Sequence, residues 1–124
     1  MKVIPPKAIK NLTPLQARAL ERAVAVLREF YDPPAIFLFG SVAKGTSSGK
    51  SDIDLLVNMP SDCPRSRRAE AFYDVFRESY PRFDVSCFTD NEIAHQLANP
   101  NSFLSAVMKS ARPLYLRNPS REPT

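Results

Sequence analysis

Asp52 and Asp54 stand one residue apart at the head of an apolar run, Ile53 to Val57, and ten residues separate Asp52 from an upstream Gly40-Ser41 pair. Residues two apart on a strand point to the same face, so Asp52 and Asp54 project together with Ile53 turned away. Carboxylates held this way in water-poor surroundings repel one another unless cations sit between them. Oxygen ligands of this kind suit Mg²⁺ or Mn²⁺, which also take oxygens from a nucleotide's phosphates. A third carboxylate, Asp84, stands in a later apolar run and joins them if the two strands are neighbours. Three aspartates around two divalent ions roughly 3.5–4 Å apart form the two-metal arrangement of in-line phosphoryl chemistry. Gly40 lets a backbone approach a phosphate with no Cβ in the way. Ser41 offers a hydroxyl and an N–H, and a short helix beginning there would favour an anion. Lys44 is placed to meet the outer phosphates as a point charge.

The same loop carries a competing phosphate signature. "GTSSGKS" ends in Gly49-Lys50-Ser51, the close of a P-loop of the form G-x-x-x-x-G-K-[ST], whose backbone N–H groups and lysine cradle phosphates. Spacing and context both fail it. The first glycine would fall on Lys44, and Gly45 is one residue too close. Ser51 runs at once into "DIDLLV", a strand, where a P-loop opens a helix. Lys50 therefore reads as a solvated loop lysine.

Strands and helices on either side must position these residues. Thr13-Pro14-Leu15-Gln16 predicts a helix start, with Thr13 as N-cap, Pro14 in the first turn and Gln16 closing a capping box. Leu12, Leu15, Ala19, Ala23, Val26, Leu27 and Phe30 recur at helical spacing as its core face, and Pro33-Pro34 ends it. Ile36–Phe39 predicts a short strand running into Gly40. Ile53–Asn58 predicts a second, apolar on both faces beyond Asp54 and hence interior to a sheet. Arg65, Arg67 and Arg68 read as a solvated helix start, although such a run could also meet an acidic partner or RNA. They precede an amphipathic helix marked by Ala69, Phe72, Tyr73, Phe76 and Tyr80, with Tyr73 and Phe76 in the core. Phe83–Phe88 predicts a third strand, with Asp84 and Ser86 on one face and Phe83, Val85 and Cys87 on the other. Asp90 is expected to cap a short helix to Leu97, on which His95 reads as a surface or packed histidine. Phe103 to Ala111 predicts another helix, Leu114–Leu116 a final strand, and residues 117–124 a disordered tail. This order describes a small α/β or α+β domain with at least three strands.

Composition narrows the function classes. A chain of 124 residues is one domain's worth, and 44% hydrophobic with 24% charged residues is ordinary for a soluble domain. No stretch approaches the ~18–20 apolar residues of a spanning helix, and Met1–Lys10 lacks the apolar core of a signal peptide. Cytoplasmic residence is the default, with no membrane partner. Cys63 and Cys87, lacking a nearby histidine, make no zinc site and read as small apolar residues. A net charge of +4, spread along the chain, suits a phosphate-bearing ligand but is too diffuse to indicate nucleic acid as a direct ligand.

Taken whole, "LFGSVAKGTSSGKSDIDLLV" resembles the signature of the nucleotidyltransferase superfamily that includes DNA polymerase beta and kanamycin nucleotidyltransferase. That signature is an apolar–Gly-Ser step, a spacer, Asp-x-Asp, and a third acid on a later strand. The form "GSxAxG…SDIDLLV" is most similar to the minimal nucleotidyltransferases of bacteria and archaea. The likeness is tight over Ile36–Val57 and extends to "RFDVSCF" for Asp84; "VMKSARPLYL" is similar to the closing helix and strand of those proteins.

The resemblance implies a single minimal nucleotidyltransferase domain over residues 1–116, built as a small mixed β-sheet flanked by helices. It implies Mg²⁺-dependent transfer of a nucleoside monophosphate from an NTP, ATP before others, to an acceptor hydroxyl with release of pyrophosphate. Under it Asp52 and Asp54 bind two Mg²⁺, with Mn²⁺ as a substitute. Asp84 holds the catalytic metal and helps deprotonate the acceptor, while Gly40, Ser41, Lys44 and Ser51 bind the triphosphate. Such chemistry is electrostatic, without a protein nucleophile. Larger members carry a second, mostly helical domain that grips the acceptor, and this length leaves no room for one. The acceptor site is therefore expected from a partner protein or a second subunit. The resemblance implies a helical HEPN-type toxin as that partner, with this chain as its antitoxin.

Two other classes stay open. The chain could be a catalytically silent antitoxin that neutralises its partner by binding, although three intact aspartates argue against it, because uncompensated buried carboxylates are costly. It could instead act on a small molecule or RNA, which the missing acceptor domain and the absence of a basic face disfavour.

Overall fold

A computed structural model describes residues 3–48, 51–68, 70–77 and 81–117. Gly49, Lys50, Ala69, Tyr80 and the tail beyond residue 117 lie outside the described residues, as do the expectations attached to them. Among the described residues the apolar runs form four strands: β1 (Ala35–Phe39), β2 (Ile53–Asn58), β3 (Phe83–Phe88) and β4 (Arg112–Leu116). They lie side by side in the order β3-β2-β1-β4. β1 runs antiparallel to both β2 and β4, while β2 and β3 are parallel, so the sheet is mixed. The parallel step requires a crossover. Two short helices supply it, α3 (Arg65–Arg68) and α4 (Glu70–Phe76). β2 is interior, as its two-faced apolar sequence predicts, and Pro113 sits on the edge strand β4, where a missing N–H is tolerated.

Each face of the sheet has its own core. On one, Ile36, Leu38, Ile53, Leu55, Val57 and Cys87 pack against Leu20, Ala23 and Leu27 of α1 (Pro14–Phe30) and against Phe72 and Phe76 of α4. On the other, Phe37, Leu56 and Phe88 pack against α5 (Asp90–Leu97) and α6 (Phe103–Met108) through Ile93, Leu104 and Met108.

Several local expectations shift. The capping box of α1 forms, Gln16 N donating to Thr13 Oγ1 and Thr13 N to Gln16 Oε1, each at 3.0 Å. Gln16 is nevertheless fully buried, because its amide also donates to Ser48 O at 3.4 Å and so is bonded at both ends. That sets the phase of the helix: Gln16, Leu20, Ala23 and Leu27 face inward, and Leu15 and Phe30 are 42% and 69% exposed instead of core. On α4 the buried pair is Phe72 and Phe76; Tyr73, one residue and about 100° round from Phe72, is 65% exposed. Thr89, not Asp90, caps α5, with Glu92 closing its box. Cys63 is exposed and Cys87 buried, both free.

Arg68 departs furthest from a solvated helix start. Its side chain is only 8% exposed and pairs with Glu92 of α5. Its Nε also donates to Cys63 O at 2.9 Å and its Nη1 to Cys87 O at 3.3 Å. One guanidinium therefore ties the crossover, the C-terminal end of β3 and α5 together.

Candidate active site

The register of the sheet brings the sequence-predicted acids together. Phe39 pairs with Asp54 across β1 and β2, and Asp54 pairs with Asp84 across β2 and β3. Residues directly opposite one another share a face. Phe39, Asp54 and Asp84 thus form one row across three strands, on the face that α5 and α6 cover further along. Asp52, one residue before β2, has the same parity as Asp54. The neighbouring of β2 and β3 on which Asp84 depends is met.

Gly40 closes in on this row from β1. Its φ is +75°, in the left-handed region, and a Cβ there would collide with Asp54 Oδ2 and stand 3.2 Å from Asp54 Cγ. Glycine is required by the backbone conformation and again by the carboxylate behind it. The chain turns at Gly40 into the short helix α2 (Gly40–Lys44), anchored by buried Val42 and Ala43. The first-turn N–H groups of a helix lack intrahelical partners, and here they belong to Gly40, Ser41 and Val42, next to Asp54. Gly45 ends the helix at φ +74°, its N–H donating to Ser41 O and Val42 O. Asn11 Nδ2 donates to Gly45 O at 2.8 Å, tying the loop to the segment before α1.

The other two nucleotide-binding candidates flank the loop between α2 and β2. Lys44 is exposed at the far end of α2, four residues from Gly40. Ser51 is engaged in the loop itself: Ser48 N donates to Ser51 Oγ and Ser51 N to Ser48 O, both at 3.1 Å.

Electrostatics single out Asp54. It is half-buried while Asp52 and Asp84 are exposed. Burial first, then the carboxylates of Asp84 and Asp52, push its carboxyl above the usual range. None of the three has a hydrogen-bond or salt-bridge partner among the described residues. An oxygen-only donor set with unrelieved repulsion is what a hard divalent cation neutralises, so these residues fit Mg²⁺ or Mn²⁺. The carboxylates share one edge without converging on a point: among the described residues no three His, Cys, Asp or Glu are grouped as ligands of one ion. Exposure leaves Asp52 and Asp84 room to turn.

A cavity of about 280 Å³ opens at the β3 edge beside Asp84, with Phe72, Tyr73, Phe76, Arg82 and Phe83 among its walls. Sequence reasoning placed Tyr73 in the core and passed over Arg82, whose position directly before the Phe83-Asp84 step is the one signal that could have marked it. His95 is exposed, in the last turn of α5.

A family model described as "Nucleotidyltransferase domain" matches residues 20–109 of this chain. No curated protein matches it. Among solved structures, one described as a toxin-antitoxin with AMP-PNP superposes with a TM-score of 0.50 at 19% identity, covering 79% of this chain and 73% of that one. A second, a mutant of the toxin-antitoxin MntA-HpeT, gives 0.43 at 17% identity over the same shares. The first likeness is one of fold.

Proposed function

The chain belongs to the nucleotidyltransferase domain family, and from that premise we propose that it transfers a nucleoside monophosphate, AMP from ATP before others, to a hydroxyl of a partner protein. The observation that carries the reading is the fit of Gly40 against Asp54, the direct cross-strand partner of Asp84. It puts a Cβ-free turn and the start of α2, whose first N–H groups have no intrahelical partner, beside the paired carboxylates. Gly40 and Ser41 would receive the triphosphate there, with Lys44 at its outer end.

Asp52, Asp54 and Asp84 would hold Mg²⁺, which when bound supplies charge neutralisation at the phosphates and activates the attacking oxygen. Asp84 lies on an edge strand, exposed, and is one of the residues that line the cavity there. The acceptor hydroxyl would come in over it, opposite the Gly40 end. Its oxygen bonds to the α-phosphorus, the bond to the α,β-bridging oxygen breaks, and pyrophosphate leaves toward Gly40 and Ser41. Asp84 would take up the hydroxyl proton.

The partner is read as a helical HEPN-type toxin, with this chain as antitoxin. The fold likeness to the structure described as a toxin-antitoxin with AMP-PNP supports that direction. The test is incubation with Mg²⁺ and ATP labelled at either the α- or the γ-phosphate, in the presence of a co-expressed helical partner. Protein-bound α-label with pyrophosphate release, absent for Asp54→Ala, is the expected result. Bound γ-label, or α-label that survives in Asp54→Ala, would overturn the assignment.

A further inference from the structure

We propose that Phe103, seated on Phe39, is a platform on which the base of the nucleotide stacks. The proposal rests on the nucleotidyltransferase reading above and assigns the nucleoside end, which that reading leaves open. Phe39 occupies the third place in the row with Asp54 and Asp84 and immediately precedes Gly40. The Phe103 ring meets it edge to face, centroids 6.1 Å apart and planes at 86°. An edge-to-face pair leaves an aromatic face open, and Phe103 is 53% exposed although its neighbour Leu104 is 1% exposed.

Its position is also pinned. Ser102 caps α6 by accepting from Ser105 N at 3.1 Å. Ser102 Oγ donates to Gln96 O at 2.7 Å, and Leu104 N donates to Gln96 Oε1 at 3.1 Å. The residues on both sides of Phe103 are thus fastened to α5, so the ring is held in place before any ligand arrives. The ring rests on Phe39, which is the cross-strand partner of Asp54, one inter-strand step of about 5 Å away.

The other exposed aromatics do not compete. Phe30 is at the C-terminal end of α1, on the opposite layer, and Tyr73 borders the cavity on the α4 side of β3. Only Phe103, among the exposed aromatics of the described residues, stands over the face that carries the carboxylates. Stacking is tolerant of base identity, so the platform separates adenine from guanine weakly.

The test titrates MgATP and magnesium tripolyphosphate into the native protein and into Phe103→Leu and Phe103→Trp. Phe103→Leu keeps an apolar contact with Phe39 but has no aromatic face. It should bind MgATP roughly tenfold more weakly and tripolyphosphate as the native protein does, while Phe103→Trp retains native MgATP affinity. Native MgATP affinity in Phe103→Leu, or equal loss of both ligands, would overturn the platform. Failure of the native protein to bind either ligand would overturn the triphosphate site and the platform with it.

Discussion

The two ends of β3 handle charge in opposite ways. At its C-terminal end Arg68 and Glu92 cancel each other within the chain, and the guanidinium also satisfies the carbonyls of Cys63 and Cys87. At its N-terminal end Asp84, Asp54 and Asp52 face one another with no protein partner among the described residues. The first end holds the Glu92 carboxyl down at about 2; at the second, burial and like charge push Asp54 up. The fold neutralises a carboxylate with an arginine at one end of the strand and, among the described residues, leaves three without such a partner at the other, the end where the proposed metal and triphosphate would bring the missing charge.

The sharpest way to break this comparison is to neutralise the second end. Asp54→Asn should cost about a hundred- to a thousandfold or more in nucleotidyl transfer while leaving the fold intact. Because the folded-state pKa of Asp54 is raised, its ionisation opposes folding at neutral pH. The thermal midpoint of metal-free Asp54→Asn should therefore rise, and a fall would mean the carboxylate is structural. Damage to the first end should do the reverse. Arg68→Met leaves Glu92 and two carbonyls short of a partner, costing about 1–3 kcal/mol of stability, measured by denaturant unfolding, with transfer per folded molecule unchanged. Adding Glu92→Gln should return part of that loss, since the two residues act as a unit.

Gly40→Ala tests the join between backbone and carboxylate. The left-handed φ alone costs about 1–2 kcal/mol, and the new Cβ displaces Asp54, so stability and transfer should fall together. The smallest effect is the pH signature. Glu92, depressed from 4.5 to about 2, contributes stability that is present above its unfolded value and lost as pH falls through about 2. Unfolding followed across that window should show a loss in the native protein that Glu92→Gln lacks, and Asp54 should contribute in the opposite sense.

The site end was far more legible in the sequence than the structural end. Asp52, Asp54, Gly40 and Ser41 sit within fifteen residues of one another and announce themselves by spacing. Asp84 needed only that β2 and β3 be neighbours. Arg68 and Glu92 are 24 residues apart, on opposite sides of a strand, and become partners only through the crossover. A basic run looks the same in sequence whether its last guanidinium is solvated or clamped. The phase of α1 was misread because a polar residue, Gln16, holds a buried position by bonding to the Ser48 carbonyl, a contact invisible to apolar periodicity. Phe103 was read only as one apolar position of a helix, since nothing local says that Phe39 lies beneath it.

The central claim is that the uncompensated end of β3 and β2 is a metal–triphosphate site. Calorimetric titration of ATP with and without Mg²⁺, into the native protein and into Asp52→Ala/Asp54→Ala, tests it most directly. The account predicts binding that requires Mg²⁺ and disappears in the double variant. ATP binding of equal strength without the metal, or unchanged in the double variant, would contradict it.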